Sequence, residues 1–176
     1  MGTGGVEPAV ADAGPIIHLS ENGCLSLLRI FKRLHVPDAV WSEAIEAGRV
    51  RATDALALGN VQRHTIPRTE VTHFVHEHCG LDLHAGEREC LFLCQQISVS
   101  FLLTDDLAVR RAAKSLGLTP VGSLGVVVKA YRLGHVSLAE AEPLIAGLYD
   151  VSTLFVTRAI VELAIEQLHE RSGGTQ

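Results

Sequence analysis

The chain has 176 residues, 47% of them apolar but only 5% aromatic, with a formal net charge of −5. A chain of this length suits one domain that buries roughly 70% of its unfolded surface, so an aliphatic core needs no staple. The charge argues against a protein that grips polynucleotide through a bulk positive field, and no apolar run reaches the ~20 residues of a membrane span. The N-terminus carries no basic start followed by an apolar run, so the expected location is the cytoplasm, with no membrane partner. The four cysteines, Cys24, Cys79, Cys90 and Cys94, form no CxxC pair and read as reduced, small apolar residues.

Residues 1–8 form a Gly-rich, flexible lead-in. Ala9–Ala11 is a short apolar strand, and Pro15 suits the first turn of a helix, which puts Asp12 at a strand-to-helix join. Helical segments follow through Ile17, Leu19 and Leu25 to Phe31, interrupted at Asn22-Gly23. His35 to Pro37 is extended, and Asp38 is placed to cap a helix whose inward residues are Val40, Trp41, Ala44 and Ile45, leaving Glu43 on its flank. A short helix spans about 51–59, an extended connection 61–67, and a helix 69–78 that carries His73, His76 and His78. A loop over 81–86 leads into a helix at about 87–96, with Cys90, Leu91, Leu93 and Cys94 as its apolar side.

Phe101-Leu102-Leu103 reads as a strand, and from Leu107 the apolar positions Val109, Ala112, Ala113 and Leu116 recur at helical spacing. Asp105 and Asp106 sit at that join, and either one alone is suited to cap the helix. A strand at 119–121, an apolar helix at 123–133 and helices at 138–149 and 152–170 complete the chain. Strands alternating with helices predict an α/β fold, a three-layer α/β/α arrangement with a central, mostly parallel sheet and C-terminal helices. The expected division is a lead-in at 1–8, a domain at 9–135, and a C-terminal helical extension at 136–176 that packs on the domain or on a partner.

In a parallel sheet the strand ends point one way and the following helices begin on that side. Asp12, Glu43, Glu87 and the Asp105-Asp106 pair can then converge from separate segments. Two carboxylates at about 4 Å repel by ~4 kcal/mol at an effective dielectric near 20, so such a cluster calls for a cation or a shared proton. A hard divalent ion, Mg²⁺ or Mn²⁺, takes oxygen ligands and activates water for attack on phosphorus. Arg110, Arg111 and Lys114 lie just behind the pair in sequence, as substrate contacts or as a solvated helix face.

These residues resemble the PIN domain, a group of metal-dependent ribonucleases that includes many toxins of toxin–antitoxin pairs. The likeness is carried by VADAGPIIHL around Asp12, VPDAVWSEAI around Glu43, HAGEREC around Glu87 and the T-x-D spacing Thr104-Asp105-Asp106. GPIIHL, VPDAVWSE, LDLHAGERE, LLTDDLAVRRAAKSLGL, VGSLGVV and the tail SLAEAEPLIAGLYDVSTLFVTRAIVELAI are similar to an uncharacterised PIN-like subgroup. The resemblance implies a PIN-like fold and metal-dependent endoribonuclease chemistry. It makes Asp12, Glu43, Glu87 and Asp106 the catalytic acids, and Asp12, Glu43, Glu87, Asp105 and Asp106 the candidate ligands of Mg²⁺ or Mn²⁺. Arg110 and Lys114 are its candidate substrate-binding residues. It also implies an RNA substrate, an antitoxin-like protein as candidate partner, and a homodimer. Two features depart from the wider family. The third acid is Glu87 where Asp is common, and the doubled Asp105-Asp106 leaves the fourth ligand open. T-x-D favours Asp106, with Asp105 as a cap or supporting partner.

Other readings compete at single residues. His73 and His76 have the i, i+3 spacing of zinc ligands, but no second ligand pair sits at a recognised distance, which favours a solvated face. His18 reads as a core-edge histidine or a phosphate contact, and Cys90 with Cys94 as a packed face. Glu89, two residues past Glu87 on a helix, should point elsewhere. A receiver domain also gathers acids at strand ends, but its acidic pair belongs near the first strand. A non-catalytic module of the same fold that binds RNA or a protein is the remaining alternative.

Overall fold

The computed structural model describes residues 7–78 and 83–170. Its centre is a five-stranded sheet of β1 (Ala9–Ala11), β2 (Leu34–Pro37), β3 (Val61–His64), β4 (Phe101–Leu103) and β5 (Thr119–Val121). The strand order is β3-β2-β1-β4-β5 and every pairing is parallel. Helices cover both faces, which explains why β1 and β2 are buried along their whole length and why β1 reads as an apolar run rather than an alternating one. The three-layer α/β/α architecture expected from the sequence is the one observed.

The helices are α1 (Ala13–Glu21), α2 (Asp38–Trp41), α3 (Ala52–Leu56), α4 (Arg68–His78), α5 (Ala85–Gln96), α6 (Leu107–Ser115), α7 (Ser123–Arg132), α8 (Leu138–Asp150) and α9 (Arg158–His169). A 3₁₀ segment, Leu25–Ile30, follows the break at Asn22-Gly23, and a π-helical turn, Ser42–Glu46, continues α2. Helices α8 and α9 pack on each other and on α7. Among the described residues no helix is long and apolar enough to cross a membrane.

Three local expectations need correction. Segments 35–37 and 61–67, read only as extended, supply the two strands β2 and β3. Asp38 does not cap its helix: Pro37 holds that position, and the Asp38 carboxylate accepts from Arg63 Nη2 at 2.8 Å and from Thr65 Oγ1 at 2.5 Å. The last helix begins at Arg158 rather than at 152. Residues Val151, Thr153, Val156 and Thr157 are β-branched and lose rotamer freedom in a helix, and the backbone N–H of Thr153 donates instead to Glu21 Oε2 at 2.7 Å.

The chain lays down β1, β2 and β3 to one side, then crosses to β4 and β5 on the other. The order therefore reverses between β1 and β4, and in open parallel sheets the crevice at such a reversal is where ligands bind. The register Ala11↔Leu103 places Asp12, the next residue after β1, beside Thr104, the next after β4.

Candidate active site

That crevice holds a cavity of about 620 Å³ whose walls include Asp12, Glu43, Glu87, Asp105 and Asp106. Five acids from four separate stretches of chain thus share one space. Asp12 follows β1 and caps α1, with Oδ1 accepting the Ala13 N–H at 2.8 Å and Oδ2 accepting Thr104 Oγ1 at 3.0 Å. Its own N–H donates to Leu103 O at 2.9 Å, so backbone and side chain are both fixed. Only 7% of the residue is exposed. Burial pushes its carboxyl up to about 6, against the lowering effect of the Ala13 and Thr104 hydrogen bonds, and the charges of Glu87 and Glu43 push the same way as burial.

Glu43 lies in the π-helical turn that continues α2, a distortion that often marks functional positions. Val40, Trp41, Ala44 and Ile45 are buried there as expected, and Glu43 is left exposed toward the cavity. A Cβ added at Gly86 would stand 3.2 Å from Val40 Cγ2 and 3.7 Å from Glu43 Oε2, so glycine lets the start of α5 approach Glu43. Glu87, one residue further, accepts the His84 N–H through Oε2 at 2.7 Å. Glu89 turns away as its spacing requires, accepting the Ala39 N–H at 3.2 Å.

The adjacent Asp105 and Asp106 have different partners. Of the two roles open to Asp105, capping falls to Asp106: α6 starts at Leu107, and Asp106 Oδ1 accepts the Val109 N–H at 2.9 Å. Asp105 is the supporting partner. It accepts Ser123 N–H at 2.7 Å, Ser123 Oγ at 2.6 Å and His18 Nδ1 at 2.8 Å. A carboxylate only accepts, so the His18 proton sits on Nδ1 and its other ring nitrogen is left for the cavity that His18 lines. A Cβ at Gly122 would come within 2.8 Å of Asp105 Oδ1, so this clamp depends on the missing side chain.

Arg110 reaches back to Thr104 O at 3.2 Å and so supports the end of β4. Lys114 occupies the last turn of α6 and does not line the cavity. The site also involves residues that sequence reasoning did not single out for it: Thr104 and Ser123, which bond Asp12 and Asp105, and Thr153, Leu154 and Phe155 from the segment before α9, which line the cavity. Thr104 carried a usable signal as the residue that closes an apolar strand. Ser123 did not, because its contact with Asp105 spans 18 positions.

The donor set is all carboxylate oxygen, the chemistry a hard divalent cation takes. Among the described residues no group of three or more His, Cys, Asp and Glu side chains already stands in ligand geometry. Glu87 and Asp106 each accept a backbone N–H through one carboxylate oxygen, Oε2 and Oδ1 respectively. The histidine run on α4 is no closer to a zinc site: His73 pairs with Glu77 at 3.4 Å, His78 stacks on Phe74, and Cys79 lies outside the described residues. Cys90 and Cys94 are buried thiols, Cys94 pushed up by burial to about 12, which suits packing and not thiolate chemistry.

No curated protein and no solved structure matches the chain. A PIN domain family model matches residues 8–170, and so covers the sheet, the acidic crevice and both C-terminal helices. On that match, and with the acids gathered where the strand order reverses, the chain belongs to the PIN domain family.

Proposed function

We propose that this protein is a divalent-metal-dependent endoribonuclease that hydrolyses RNA phosphodiester bonds. The observation that carries the reading is the shared cavity of Asp12, Glu43, Glu87, Asp105 and Asp106 at the β1–β4 crevice of a nuclease-type fold. Asp12, Glu43, Glu87 and Asp106 would hold Mg²⁺ or Mn²⁺, with Asp105 adjoining. When bound, the ion supplies a water nucleophile at neutral pH and neutralises charge on phosphate oxygens. Asp12 is kept in a single orientation by Ala13 and Thr104, so it meets a ligand without first being ordered. Asp105 and Ser123 hold the His18 ring at the cavity wall, where its second nitrogen can hydrogen-bond a phosphate or a water. The narrower form of the reading is a cytoplasmic, homodimeric toxin held in check by an antitoxin-like protein, with Arg110 and Lys114 as substrate contacts.

The hydrogen bonds at Glu87 and Asp106 favour one alternative, a non-catalytic module of the same fold that binds RNA or a protein. A mixed RNA pool incubated with Mn²⁺ separates the two. Wild type should cut, and Asp12→Asn and Asp106→Asn should fall to background. Equal cutting by all three rejects the mechanism. Binding without cutting by wild type favours the module.

A further inference from the structure

Phe155 is 96% exposed, more than any other large apolar side chain among the described residues, and it forms part of the wall of the acidic cavity. Its exposure is built in. The segment from Val151 to Thr157 is not helical, Leu154 is buried and Val156 is partly buried against the core, so the residue between them must face outward. Hydrogen bonds fix the backbone on one side of the ring. Thr153 N–H and Oγ1 bond Glu21 Oε2 at 2.7 and 2.8 Å, Ser152 Oγ donates to Leu148 O at 2.6 Å, and Leu154 N–H donates to Ser152 Oγ at 3.2 Å. A phenyl ring is therefore held in water at the mouth of a polar cavity.

A protein-docking aromatic normally sits among apolar neighbours that exclude water around it. Here the two flanking residues, Leu154 and Val156, turn inward, Val151, Ile160 and Leu163 of the same stretch are exposed but do not line the cavity, and the wall beside Phe155 includes carboxylates, glycines and His18. A π-face on the wall of a polar cavity suits a flat ligand whose faces stack and whose edges are polar. A nucleobase is such a ligand, and a base is free to stack only when it is unpaired. We propose that Phe155 is a stacking platform for one unpaired nucleobase of a single-stranded RNA whose backbone enters the acidic cavity. This rests on the ribonuclease reading above and adds to it a residue that positions the substrate.

The test measures binding apart from cutting. Fluorescence anisotropy of a labelled, mixed-sequence single-stranded oligoribonucleotide, and of the same strand in a blunt duplex, is recorded in Ca²⁺ with the full chain. The proteins are wild type, Phe155→Ala, Phe155→Leu and Phe155→Trp. The ring is solvent-exposed, so the folded state should survive each change, which circular dichroism checks. The expected result is a loss of single-strand affinity on the order of ten- to a hundredfold in the Ala and Leu variants, with Trp retaining wild-type affinity or better. Wild type should bind the duplex more weakly than the single strand.

Equal binding by all four proteins overturns the proposal, as does a duplex bound as tightly as the single strand or no binding of the single strand by wild type. Retention by Leu with loss by Ala also overturns it, since that marks apolar contact of the kind a protein partner makes. A cleavage assay in Mn²⁺ separates this proposal from the one beneath it. Ring-dependent binding without any cutting removes the nuclease and leaves the platform. Cutting with an unchanged KM in Phe155→Ala removes the platform and leaves the nuclease.

Discussion

Two polar clusters sit along the carboxyl edge of the same sheet, and they are organised in opposite ways. At the end of β2 and β3, charges and dipoles have partners: Asp38 accepts from Arg63 and Thr65, Arg63 stacks over Trp41 with its guanidinium carbon 4.6 Å from the ring centroid, and His35 Nδ1 meets His64 Nε2 at 2.8 Å. At the end of β1 and β4, burial raises the Asp12 carboxyl, and the charges of Glu87 and Glu43 raise it further. Ionising the buried Asp12 there costs stability, and the neighbouring Glu43 and Glu87 charges add to that cost. On the reading proposed above, the second cluster is the one kept for a ligand and the first is a structural tie.

The largest expected effect breaks that contrast at Asp12. Its carboxyl is raised from 3.8 to about 6, so the folded state binds more protons than the unfolded one across that window, and stability falls as pH rises through it. At 1.36 kcal/mol per pH unit, the ionised group costs the ion-free protein ~3 kcal/mol above pH 6. Asp12→Asn should lose cleavage yet raise stability at pH 8 by up to that amount, because an Asn oxygen still accepts the Ala13 N–H. Wild type should be stabilised by Mn²⁺ and the variant far less. Chemical denaturation at pH 4 and pH 8, with and without Mn²⁺, checks both. A variant less stable than wild type at pH 8 would show that Asp12 is a structural residue.

Thr104 sharpens the same comparison from the side of the hydrogen bond. It is fully buried, donates to Asp12 and accepts from the Asp106 N–H at 3.3 Å. Thr104→Val keeps the shape and deletes both bonds, which should cost about 1–3 kcal/mol. Loss of a donor to the carboxylate should also move Asp12 further up, so the acidic limb of the cleavage pH profile should shift to higher pH. A stability loss with an unmoved profile would mean that the hydroxyl packs without tuning the acid.

The sequence made the first half of this contrast harder to see than the second. Asp12 and Asp105-Asp106 stand out because each follows a short apolar run, and burial of those runs in a parallel sheet leaves their polar ends at one edge. Glu43 is findable because its helix buries Val40, Trp41, Ala44 and Ile45 on the other side. β3, with Gln62 and Arg63 at its centre, has no such pattern, and only pairing with β2 makes it a strand. The pairing of His18 with Asp105 spans 87 positions and has no local trace. The segment 151–157 hides its non-helical backbone for a related reason. Apolar residues continue through it at intervals a helix could use, while the bonds from Thr153 to Glu21 that hold it out of a helix are long-range.

The smallest effect tests the satisfied cluster, and its sign is opposite to that of Asp12. His35 and His64 both have lowered pKa values, His35 through burial with His64 and Arg33 adding, and His64 through burial against the opposing charge of Asp38. The shared hydrogen bond needs one ring nitrogen with a proton and one without, so the folded state prefers neutral rings and binds fewer protons than the unfolded chain. The stability this contributes is present above pH 6.5 and is lost as pH falls through the lowered values. His64→Gln should flatten that loss between pH 7 and pH 5, since Gln can donate to a neutral His35 or accept from a charged one. Because the His64 ring is partly open to water, the change should be smaller than either effect above. In wild type the two clusters pull the pH–stability curve in opposite directions below pH 6. Asp12→Asn should therefore expose the histidine slope, His64→Gln should expose the carboxylate slope, and the double variant should be flatter than either. Denaturation curves at half-unit pH steps for the four proteins would show whether the slopes separate. If the Asp12→Asn curve stayed flat between pH 7 and pH 5, the histidine pair would not be titrating in this window.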